Sequence, residues 1–276
     1  VYKRQDEYYK SRAIAYVLAG GIAAALFGPE LAKATAGLLD PVHFAGSYIA
    51  MAILALSAIV LLQFIDIPPP GAAERNGSGR PIRRIVAEPT FLIAVLSAMI
   101  GYGAMAFVMT ATPLAMNAHA HAFEDTAFVI QWHALGMFVP SFFTGHLIRL
   151  FGAVRIILVG TLAMFATIGV NLHGTGLIEF WMALFLLGIG WNFMFIGGTT
   201  LLTEIYRVEE KAKVQAMNDF LVFGTNAVAS FSSGMVHHTL GWQAVNYAVA
   251  PPLLVVFAAA LWLRIQRRAA RRIAAE

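Results

Sequence analysis

Eight apolar runs, each near twenty residues long, punctuate the chain at 13–32, 46–65, 91–116, 126–148, 154–173, 178–202, 214–237 and 244–263. A helix of about 20 residues crosses a hydrocarbon core of roughly 30 Å. In lipid, only a helix or a closed barrel satisfies its own backbone groups. Runs of this length predict an all-α fold: a polytopic transmembrane helix bundle with about eight spans. Composition agrees, since 59% of residues are hydrophobic and only 12% charged. A soluble domain carries about 25% charged residues, so a soluble globular fold is excluded. The chain contains no cysteine, which removes disulfide frameworks and thiolate metal or redox sites.

Basic residues flank the apolar runs. Alternating connections fall on opposite sides of a membrane. Of the 19 Lys and Arg, two lie in the first five residues and Lys33 alone lies on one side, leaving sixteen on the other. The positive-inside tendency then puts both termini and the longer basic loops in the cytoplasm. The net charge of +4 is explained by this placement, and nucleic acid is not an expected partner.

The first five residues, VYKRQ, resemble a translated adapter and begin without methionine. They are set aside as an adapter-derived artefact, with the expectation that the natural protein continues upstream. Residues 6–66 hold two spans, the last two helices of a first half. Residues 67–89 form a Pro/Gly/Arg-rich cytoplasmic linker, and 90–265 hold six further spans. Residues 266–276 are a basic cytoplasmic tail suited to anionic lipid. A faint repeat, Lys10/Arg12/Ala15 against Lys211/Lys213/Ala216, recurs six spans apart. Polar residues concentrate in the third, fourth, sixth and seventh runs, as helices lining an aqueous pathway require.

Two motifs carry a family resemblance. Gly145, Leu147, Gly152 and Arg155 fit a glycine-framed loop motif, with Arg149 at its usually acidic position. Gly20, Gly21, Gly28 and Pro29 fit a fifth-helix glycine/proline motif typical of antiporters, although Leu31 and Ala32 replace its trailing glycine pair. On these residues the chain resembles the major facilitator superfamily of twelve-helix transporters. The resemblance spans 6–276, matches helices five to twelve, and implies an N-terminally truncated chain.

Thr110, Gln131, His133, Trp191, Asn192 and Asn226 are candidates for a substrate cavity. The resemblance places the helix of Gln131 and His133 beside such a cavity, whereas successive residues on a helix point about 100° apart. The structural alternative for each is hydrogen bonding or packing between helices. Glu30 and Asp219 are carboxylates within spans and candidates for carrying a coupling proton. Glu30 could equally pair with Lys33 at the interface, and Asp219 could serve as a structural hydrogen-bonding group. His119/His121 and His237/His238 lack a clear third ligand nearby, so no metal is expected. No nucleophile elbow, phosphate loop or HExxH motif occurs, so no cofactor and no enzyme activity are expected. The expected function is secondary active transport of a small solute by alternating access, coupled to an ion such as a proton, in a bacterial inner membrane. The alternative is a non-transporting receptor or assembly subunit on the same helices.

Overall fold

The computed structural model describes residues 7–42, 44–65 and 79–273, with side chains from residue 20 to residue 270. The adapter-like 1–5 and most of the 67–89 linker lie outside the described residues. Within them every regular element is helical: α1 Glu7–Thr35, α2 Ala45–Leu62, α3 Ile82–Val86, α4 Pro89–Ala118, α5 Phe123–Phe138, α6 Ser141–Phe151, α7 Ala153–His173, α8 Leu177–Thr203 and α9 Lys211–Ile273, with a 3₁₀ turn at Val208–Glu210. Each of the eight apolar runs falls on helix. Five helices are long and apolar enough to cross a membrane, and α5 with α6 adds a sixth as one bent span.

Three local expectations are corrected. The 126–148 run is not one straight helix but breaks after Phe138, its halves bent by 41°. Pro140 is the cause: it has no N–H to donate, and its ring collides with the preceding turn. The turn expected over 145–155 is a single residue, Gly152 at φ 85°, and helix runs through Phe151. The connection between the 214–237 and 244–263 runs likewise shrinks to Gly241 at φ 82°, where α9 turns into a second arm. Glycine enters this left-handed region without a Cβ clash. No wider loop is needed at either position.

α8 sits at the centre, with α4, α5 and α7 packed around it, and α9 lies against α4 and α7. Close approach needs small residues where there is no hydrophobic drive between helices in lipid. A Cβ on Gly188 of α8 would collide with the backbone carbonyl of His133 on α5, and one on Gly198 would lie 2.7 Å from the Ala94 carbonyl on α4. Buried Phe180, Leu184, Leu187, Met194, Leu201 and Leu202 make α8 the spine of the core. α2 is the opposite case. Its Ile53, Leu56 and Val60 are more than half exposed, an apolar surface suited to lipid or to a neighbouring helix.

Ser47 on α2 donates to the Ala32 carbonyl at 3.0 Å, and Thr35 donates to Ser47, joining α1 to α2. Ser97 on α4 donates to the Met194 carbonyl on α8 at 3.0 Å. Asn171 on α7 donates to Asn246 on the second arm of α9 at 2.7 Å. Each bond removes an unpaired polar group from an apolar interior, where it would cost about 1–3 kcal/mol.

Candidate solute site

Aromatic side chains gather where α4, α5, α8 and the first arm of α9 meet. Trp191 and Phe195, one helical turn apart on α8, stack nearly parallel, with centroids 5.2 Å apart and planes at 8°. Tyr102 of α4 sets its edge against both, at 5.4 and 5.5 Å, and also against Phe223 of α9 at 5.8 Å. Phe138, the last residue of α5, meets Trp191 edge-on at 6.4 Å with planes at 71°. The cluster runs from nearly buried Trp191 to half-exposed Phe223. The enclosed Trp191 Nε1 has no acceptor among the described residues. Each aromatic pair adds about 0.5–1.5 kcal/mol beyond burial, and a flat ring that reached the cluster would gain from the same kind of contact.

The sequence candidates separate into distinct groups. Gln131 faces α1, where its Nε2 donates to the Leu26 carbonyl and to Glu30 Oε1, both at 3.1 Å. Glu30 also accepts from Lys33 Nζ at 2.8 Å. His133, two residues further along α5, is fully buried against α8, with Nδ1 2.8 Å from the Leu184 carbonyl. Asn192, also fully buried, braces the α5–α6 break. Its Nδ2 donates to the Met137 carbonyl at 2.7 Å and to Ser141 Oγ, while its Oδ1 accepts from Thr144 Oγ1 at 2.6 Å. Asp219 is exposed on α9 and accepts from Asn218 at 3.2 Å. Thr110 and Asn226 are half-buried on α4 and α9. Only Trp191 belongs to the aromatic cluster. The structure therefore does not gather the polar candidates around one point.

The glycine motifs have mixed surroundings. Gly21 lies against the Phe138 ring, so α1 approaches α5 there, whereas Gly20 and Gly28 face open space. Pro29 lies inside α1. Gly145, Leu147 and Arg149 stand on the last turns of α6, ahead of Gly152 and of Arg155 at the start of α7.

At one end of the bundle, Arg80 joins the end of the linker to the α8–α9 junction. Its Nε and Nη2 each reach Glu210 at 2.9 Å, Nη2 also donates to the Ile205 carbonyl at 2.7 Å, and Nη1 contacts Glu88. Lys213 Nζ donates to the Arg80 carbonyl at 2.6 Å. The hydrogen bonds from Arg80, then that from the Arg207 backbone N–H, hold the Glu210 carboxyl far below the usual carboxylate range. The same Glu210 hydrogen bonds hold Arg80 firmly charged. Sequence reading missed this knot and the ring contacts of Tyr102, Phe195 and Phe223. The paired residues of the knot lie 130 positions apart, and the aromatics are hidden within apolar runs.

Comparison with known proteins follows the same outline. The profile of the Major Facilitator Superfamily matches residues 95–276. Riboflavin transporter RfnT of Brucella anthropi is 41% identical over 251 residues, covering 90% of this chain and 63% of the relative. The uncharacterized MFS-type transporter YddS of Bacillus subtilis is 26% identical over 283 residues, covering 96% of this chain and 65% of the relative. Its counterpart YdeG is 32% identical over 168 residues, covering 58% and 38% respectively. The chain thus spans less than two thirds of the length of each of these relatives.

Proposed function

Because the chain belongs to the major facilitator superfamily, an integral membrane family, we propose that the full-length protein is a secondary transporter whose solute carries a flat, fused aromatic ring of the flavin class. The observation that carries this reading is the stacked Trp191–Phe195 pair with the Tyr102 edge against it. The relative named as a riboflavin transporter, 41% identical over 90% of this chain, supports the ring class. A conjugated ring gains from aromatic neighbours through offset-stacked and edge-to-face contacts. In this family, helical halves rock about a site near mid-membrane and expose it alternately to each side. Phe223 is the most exposed ring of the cluster and would be the first to meet an entering ring.

The Glu30–Lys33–Gln131 group is the proposed coupling element, since it joins α1 to α5 through one span carboxylate. A proton on Glu30 would weaken its bonds to both partners and loosen the α1–α5 contact. The proposed bilayer is the bacterial inner membrane, and the sixteen-to-one charge division supports cytoplasmic termini. Uptake of labelled riboflavin into cells expressing the full-length protein tests this reading. Uptake should exceed that of vector cells, fall on collapse of the proton gradient, and be competed by lumichrome but not by ribitol. Uptake equal to that of vector cells would contradict it.

A further inference from the structure

At the end of the bundle that carries Gly152, a cavity of about 420 Å³ opens between the α6–α7 turn and the last turns of α9. It is lined by Arg149, Arg155, Arg264, Arg267 and Arg268, with Glu204 the single acid among its lining residues. Glu204 pairs with Arg267 at 3.0 Å. Among the described residues, Arg149 reaches only the His146 ring, at 3.4 Å. Arg155 and Arg268 have no ion-pair partner among the described residues, and Arg264 Nε is enclosed without an acceptor. Five guanidinium groups therefore line one space with a single carboxylate, Glu204, which is already paired with Arg267.

Like charges so placed repel one another, and an enclosed donor without an acceptor is costly. An anion in the cavity removes both penalties. Guanidinium groups present planar paired donors that match phosphate oxygens. We propose that this cavity binds a phosphate group, and that a phospholipid headgroup is its best fit. The rim supplies the second half of that ligand. Leu150 and Phe151, which also line the cavity, are 62% and 50% exposed, and Ile265 and Trp262 stand exposed on the adjoining turn of α9. A headgroup seated among the arginines would leave its acyl chains against these apolar side chains, where basic residues at span ends commonly meet anionic lipid. A free phosphate ion shares the headgroup chemistry but makes no use of the rim. The site does not depend on the identity of the transported solute.

The test is thermal unfolding of the full-length protein in neutral detergent, with added phosphatidylglycerol, phosphatidylcholine or inorganic phosphate. Phosphatidylglycerol should raise Tm more than phosphatidylcholine, and the excess should shrink as salt screens the arginines. In Arg155→Gln/Arg268→Gln, half-maximal shift should need at least tenfold more phosphatidylglycerol. Both side chains are exposed and unpaired, so folding should survive their replacement. Inorganic phosphate matching the lipid shift, with the same loss in the variant, would assign the site to the free anion. Equal shifts from the two lipids with none from phosphate, or an unchanged dose response in the variant, would overturn the proposal.

Discussion

Asn192 shows how a single side chain can be committed to structure. Pro140 interrupts the helical ladder between α5 and α6, and the Asn192 amide reaches both sides of the break through Met137, Ser141 and Thr144. Asn192→Ala would leave these groups short of partners in an apolar interior, costing about 1–3 kcal/mol. It should lower the Tm of the full-length protein, whereas Gln131→Ala, at the more open α1–α5 contact, should change it less. Equal Tm values for Asn192→Ala and wild type would refute the bracing role. Glu210 offers a second residue-scale prediction. Its folded pKa lies below the ordinary carboxylate value, so its contribution is complete above that ordinary value and disappears as pH falls through the depressed one. The Tm difference between wild type and Glu210→Gln should stay level between about pH 6 and 8 and shrink only below about pH 4. A difference that shrank between pH 8 and 6 would contradict the Arg80–Glu210 knot.

Helices were legible because burial in lipid demands about twenty apolar residues, and each of the eight runs lies on helix. Their joints were less legible. Gly152 and Gly241 looked like parts of longer turns because sequence gives a glycine's permissiveness without its φ angle. Pro140 was visible inside the fourth run, but its effect depended on whether α8 could repair the break, and Asn192 lies 52 positions away. The candidate residues show the same limit. Spacing correctly separated Gln131 from His133 around α5, while their partners on α1 and α8 depended on helix packing. Tyr102 and Phe195 could not be distinguished from core aromatics, since apolar runs contain many of both kinds.

On the scale of the whole molecule, charge placement predicts a direction that helix packing alone does not. Sixteen basic residues on one side predict that Ser78 in the linker and Ala118 at the end of α4 face opposite sides of the bilayer. Single cysteines at these positions in the full-length protein should differ toward an impermeant thiol reagent applied outside intact cells. Ala118→Cys should be labelled, and Ser78→Cys only after lysis. Labelling of both from outside would reverse the orientation argument. On the proposed function, the aromatic junction of α4, α5, α8 and α9 receives a flat conjugated ring. The most direct measurement is titration of riboflavin with purified full-length protein, followed by flavin fluorescence, in wild type, Trp191→Ala and the exposed Trp262→Ala control. Saturable quenching is expected in wild type and Trp262→Ala, with affinity at least tenfold weaker in Trp191→Ala, a loss of about 1.4 kcal/mol or more. Quenching that does not saturate, or equal affinity in all three proteins, would contradict it.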